Sequence, residues 1–130
     1  MTSGQIVFYT VVLFIVVLYV RRYLQMRSIQ QYSPGALREK LRDRNVVLLD
    51  VRTEAERSVQ GIRGSLHIPL QQLSGRLKEL EGYRSREIVC YCRSGNRSLS
   101  AAILLRKRGF NAGNLKGGIS EWNLTALQDS

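Results

Sequence analysis

The chain has 130 residues and a net charge of +10, a length that fits one small domain. Two cysteines are too few for a disulfide framework, and the scattered basic residues, with no aromatic-rich RNA motif among them, exclude a nucleic-acid interface. Arg21, Arg22 and Arg27 supply three of the twenty basic residues; the other seventeen outnumber the ten acidic ones, which suits an anionic inner leaflet and a positive field around an anionic substrate.

Every charged residue lies at or after Arg21. Ile6 to Val20 is apolar almost throughout, with neither a helical stripe nor strict alternation, the pattern of a membrane span. At ~1.5 Å per residue these fifteen positions cover about 22 Å, against about 30 Å of hydrocarbon. Flanking Gly4, Tyr23 and Leu24 complete a span over residues 4–24, inside an anchor and basic junction over residues 1–28. No basic side chain precedes the run and no Ala-x-Ala-like site follows it, so an uncleaved anchor is expected rather than a signal peptide. Arg21, Arg22 and Arg27 flank only the C-terminal side, which predicts a single-pass membrane protein with residues 29–130 in the cytoplasm.

Gln25–Gln31 is polar and is expected to extend the anchor helix. Ser33 and Pro34 suit the N-cap and first position of a helix that Asn45 can end. Val46–Leu49 is a continuous apolar run, as in a parallel strand covered on both faces, and Asp50 ends it. Thr53 can cap a short helix to Ser58; Leu66–Ile68 reads as a strand stopped by Pro69; Leu70, Leu73, Leu77 and Leu80 mark one helix face. Glu87–Tyr91 is a buried strand, and Ser98 can cap a helix ending near Gly109. Phe110–Leu115 is a last strand, and Gly117-Gly118 turns into a helix holding Trp122 and Leu127. Strands alternating with helices imply an α/β domain, an open parallel sheet flanked by helices and preceded by one transmembrane helix.

The chemistry concentrates in Cys92-Arg93-Ser94-Gly95-Asn96-Arg97-Ser98, a tight loop between strand and helix. There, backbone amides and a helix dipole face one sulfur and favour its thiolate. Gly95 permits unusual backbone angles, and Arg93 and Arg97 add fixed positive charge. The P-loop pattern is absent. Asp50, Arg52 and Cys92 all follow strand ends, so they are expected to share one sheet edge, where ligands of open α/β sheets bind.

These segments, with Asp50-Val51-Arg52, Gly64-Ser65-Leu66-His67-Ile68-Pro69 and Leu115-Lys116-Gly117-Gly118…Trp122, resemble a single-domain rhodanese from about Tyr32 to Leu127. The resemblance implies the rhodanese-like fold and a sulfurtransferase in which Cys92 carries a persulfide. Residues 93–98 would hold a small anionic sulfur donor such as thiosulfate, a thiol or cyanide would accept the sulfur, and neither metal nor organic cofactor is needed. A protein sulfur acceptor is equally compatible. Four residues separate Cys92 from Arg97, whereas dual-specificity phosphatases of this fold have five, so a sulfur atom suits the cradle better than phosphate. The alternative is a membrane-tethered sulfur-relay or protein-binding module with little small-molecule turnover.

Secondary candidates take structural readings. Cys90 is a core residue rather than a resolving thiol, and Cys90-Tyr91-Cys92 lacks companion ligands for zinc. His67, at a position usually Asn in the resembling family, is structural. Asp50 and Arg52 support the loop as an ion pair, and Trp122 anchors the core. Gln60-Gly61-Ile62 stands where the family commonly reads Gly-His-Ile, which alters the rim.

Overall fold

A computed structural model describes residues 1–128. Helix α1 spans Ser3–Ser28, opened by a capping box in which Thr2 and Gln5 bond each other's backbone amides. None of its residues is buried, and it is long and apolar enough to cross a membrane.

The domain that follows is built from β1 (Gln30–Tyr32), α2 (Pro34–Leu41), β2 (Val46–Asp50), α3 (Glu54–Val59), β3 (Leu66–His67), α4 (Leu70–Leu73), a 3-10 helix (Leu77–Tyr83), β4 (Glu87–Tyr91), α5 (Asn96–Lys107), β5 (Asn111–Leu115) and α6 (Gly118–Gln128). The five strands form one sheet in the order β1-β5-β4-β2-β3, and every pairing is parallel. Successive strand residues point to opposite faces, which divides the core in two. Leu49, Ile88, Cys90 and Ala112 pack against Leu73, Leu80 and the apolar side of α5. Leu48, Val89, Tyr91 and Leu115 pack against Leu37 and Ile119 on the other face. Such burial stabilises by about 25 cal/mol per Å² of apolar surface.

Three local expectations are corrected. Gln30 and Gln31 do not extend α1: the helix stops at Ile29, which is buried under α5, and the chain turns back into edge strand β1 on β5. Strand β1 buries only Tyr32, whose ring lies over Gly113, where a Cβ would sit 2.9 Å from it. The leucine stripe from Leu70 to Leu80 is two pieces, α4 and the 3-10 helix, interrupted at Ser74–Arg76. Ser98 does not cap α5; Gly95 does, in the left-handed region at φ 101°, which frees the Ser98 hydroxyl for the loop.

Candidate active site

The parallel strands bring Asp50, at the end of β2, and Cys92, just past β4, to one edge, as β2 and β4 pair Asp50 with Tyr91. Cys92 is 1 % exposed. Its Sγ accepts hydrogen bonds from the amides of Gly95 at 3.1 Å and Ser98 at 3.4 Å, and faces the Ser98 hydroxyl at 3.3 Å. Burial alone would raise the thiol pKa. The Ser98 side chain and the amides of Ser98, Gly95 and Ser94 outweigh it and hold Cys92 below the ordinary thiol range.

The Ser98 hydroxyl has one proton and two neighbours: Cys92 Sγ and, at 2.6 Å, Asn114 Oδ1. Asn114 is buried in β5, and its Nδ2 donates to the Gly95 carbonyl and to Gln31 Oε1. These bonds orient the amide so that its oxygen faces Ser98. A chain of polar contacts thus runs from β1 to the sulfur.

The loop is fixed from outside by α6, whose first amides, of Ile119 and Ser120, donate to the carbonyls of Cys92 and Arg93 at 2.9 and 3.2 Å. With these carbonyls turned outward, the loop's N–H groups turn toward the sulfur. Gly118, at φ +62°, allows the approach; a Cβ there would lie 2.4 Å from the Cys92 carbonyl oxygen.

Arg97 extends from the first turn of α5 to Glu56 in α3, donating to its two oxygens at 2.7 and 2.8 Å. Hydrogen bonding to Arg97 lowers the Glu56 carboxyl to about 2. Arg93 is exposed and lines a cleft with Arg52, Glu56, Val59, Gln60 and Ile119. On the other side of the loop, Ser94, Gly95 and Asn96 line a second cleft with Gln31 and Lys116.

Below the loop, Arg52 forms a two-pronged ion pair with fully buried Asp50, with contacts of 3.0 and 2.8 Å. Burial pushes the Asp50 carboxyl up, and the Arg52 hydrogen bonds outweigh it, leaving the group below the usual carboxylate range. Arg57 also reaches Asp50, at 3.2 Å, and bonds Ser65. The Tyr91 hydroxyl accepts from the Ile62 amide and meets Ser65 Oγ.

Glu56, Arg57, Ser65, Tyr91 and Asn114 join the site without a sequence motif that assigns them to it. The spacing of Thr53 and Glu56 is that of a capping box, which does form and which by itself indicates only a helix start. Asn114, a polar residue in a short buried strand, was the other available signal.

Among the secondary candidates, Cys90 is fully buried, and burial pushes its thiol far above the ordinary range. It is a core residue, as expected. His67 Nε2 meets the Arg52 carbonyl at 2.8 Å, away from the sulfur. Trp122 is half-buried at the margin of the core, with the Arg38 guanidinium 4.2 Å over its ring. Gln60 lends its carbonyl to Arg52, and Gly61 leaves room for the Arg57 side chain to pass. Among the described residues, no cluster of His, Cys, Asp or Glu could hold a metal ion.

Residues 33–125 match the family model of the Rhodanese-like domain. The chain belongs to this family. Two rhodanese-like relatives are similar over most of their length. A protein of Allochromatium vinosum named sulfurtransferase is 34% identical over 96 residues, covering 72% of this chain and 88% of the relative. The putative sulfurtransferase YtwF of Bacillus subtilis is 33% identical over 96 residues, covering 73% and 91%. In three dimensions, the rhodanese-related protein of Thermoplasma volcanium superimposes with a TM-score of 0.68 at 30% identity, over 74% of this chain and 92% of that one. The α/β rhodanese-like architecture expected from the sequence is therefore present. Helix α1 lies outside the matched span.

Proposed function

We propose that this chain is a membrane-anchored sulfurtransferase that carries a sulfane sulfur on Cys92. Family membership and two relatives named sulfurtransferase support sulfur transfer as the class of chemistry. The observation that carries the assignment to Cys92 is its sulfur, ringed by amide and hydroxyl donors that favour the thiolate.

With thiosulfate as donor, the Cys92 thiolate attacks the outer sulfur. A sulfur–sulfur bond forms at Cys92, the bond to the sulfonate sulfur breaks, and sulfite leaves with its electron pair. Loop amides stabilise the resulting persulfide anion, and Arg93 at the cleft attracts the anionic donor. An acceptor thiolate or cyanide then attacks the terminal sulfur and returns Cys92 as thiolate. Every step is a displacement at sulfur, so proton and electron balance needs no cofactor.

Helix α1 supports the anchor: it is uncharged until Arg21 and none of it is buried in the domain. The basic residues that follow favour a cytoplasmic domain.

The test is mass spectrometry of the full chain in detergent after incubation with thiosulfate. A one-sulfur gain on Cys92, released as thiocyanate by cyanide, is expected. If the chain gains no sulfur from thiosulfate yet is isolated from cells with sulfur on Cys92, a relay fed by another protein replaces the small-donor enzyme.

A further inference from the structure

The join between α1 and the domain fixes which way the candidate site faces. Arg22 of α1 donates to Ser100 of α5 at 2.8 Å. Three to seven residues further along in each case, Gln25, Ser28 and Ile29 line one cavity with Ile103, Arg106 and Lys107. Contacts that advance together along both helices mean that α1 and α5 run in the same direction. Helix α5 starts at the Cys92 loop and leads away from it, so α1 also runs away from the site-bearing edge. One residue, buried Ile29, separates α1 from β1, and β1 returns parallel to the other strands, back toward that edge.

The lengths agree. From Arg21 to Ser28, α1 extends beyond its uncharged run by about 12 Å at ~1.5 Å per residue. A five-residue strand such as β4 returns about 16 Å at ~3.3 Å per residue. Within α5, Asn96 precedes Ser100 by about 6 Å. The first turn of α5 and the Cys92 loop are thereby brought back level with the end of the uncharged run, where Arg21 and Arg22 mark the start of the headgroup layer and Tyr23 and Leu24 lie within it.

Resting on the reading of α1 as a membrane span, we propose that the edge bearing Cys92 faces the bilayer and lies on its anionic headgroup layer. The rim suits that surface. Val59, 87 % exposed, is a bare apolar side chain at the cleft mouth. Arg93 and Lys116 stand beside the loop, and neither takes part in an ion pair among the described residues. Charge alone would favour the opposite edge, where Arg44, Arg86 and Arg108 precede strands β2, β4 and β5. That edge, however, lies level with Ser28 and Ile29, farther out than the Debye length of about 8 Å at physiological salt. Geometry therefore outweighs charge.

The experiment is photolabelling of the full chain in vesicles of phosphatidylcholine and phosphatidylglycerol. One probe lipid carries a diazirine in its headgroup, another in its acyl chain. The acyl probe should label residues 6–20. The headgroup probe should label Val59, residues 93–96 and Lys116, with no label on residues 42–45 and 84–86. Acyl labelling of α1 with headgroup label on residues 42–45 and 84–86, or nowhere in the domain, overturns this orientation and leaves the anchor standing. Absence of acyl label from α1 overturns the anchor itself, and the orientation with it.

Discussion

Arg97 and Glu56, forty-one positions apart in the chain, meet through two parallel hydrogen bonds that tie the first turn of α5 to α3. Both are partly exposed, so the pair is worth about 1 kcal/mol or less. Its electrostatic role is to neutralise the cation beside the sulfur. Glu56→Gln should free the Arg97 charge and lower the Cys92 pKa further; Arg97→Ala should raise it. Titration of thiolate absorbance in both variants checks this, and shifts in the same direction would contradict it. The Glu56 pKa is depressed, so the pair's contribution is present above the ordinary carboxylate pKa and is lost progressively as pH falls from there through about 2.

Alkylation should separate the two cysteines. Cys92 reacts as thiolate, so its rate should rise with pH and level off above a midpoint below the ordinary value of about 8.5. Cys90, buried with a raised pKa, should react only in denaturant. Ser98→Ala removes the hydroxyl that faces the sulfur and should move the Cys92 midpoint up. Cys92→Ser should abolish sulfur loading with unchanged circular dichroism, while Cys90→Ser retains it.

Gly118→Ala should cost about 1–3 kcal/mol, because an L side chain is strained at its positive φ and its Cβ meets the Cys92 carbonyl. The added methyl pushes on the loop, so sulfur loading should fall by more than the lost stability explains. Denaturant midpoints and loading rates on the same samples make the comparison.

Arg93→Ala should act on binding. Its guanidinium lines the cleft without touching the sulfur, so the apparent KM for an anionic donor should rise about tenfold, the lower end for a charge-assisted contact, with little change in kcat. Steady-state kinetics with thiosulfate decides it; a fall in kcat alone would assign Arg93 to the chemical step.

The full chain should resist extraction by high salt and carbonate and yield to detergent. A chain starting at Arg27 should be soluble, whereas one starting at Gln30 lacks the buried Ile29 and should lose about 2 kcal/mol. On intact cells, a membrane-impermeant thiol reagent should leave Cys92 unlabelled until permeabilisation; labelling beforehand would reverse the topology.

Much of the fold was legible where burial acts on both faces of a strand. Val46–Leu49 and Ile88–Cys90 are apolar runs for that reason. Strand β1 was not legible, since an edge of three residues with one inward side chain carries no period. Ser98 reads as a cap in the sequence because Ser is a common N-cap; in the fold, contact with Asn114 and the sulfur claims its hydroxyl instead. Asp50, Arg52 and the Cys92 loop were legible because strand ends place them together. Glu56, Arg57 and Asn114 were not, because their partners lie far along the chain and only folding reveals the pairings.

Ile29, alone between α1 and β1, also sets how encounters can occur. A flexible tether of n residues would let a domain roam roughly 5–6 Å × √n from its root and search the volume around it. Here that radius collapses to almost nothing. If α1 is embedded, the domain moves only as its anchor drifts laterally, and meetings with other embedded molecules become a two-dimensional search, counted per area rather than per volume.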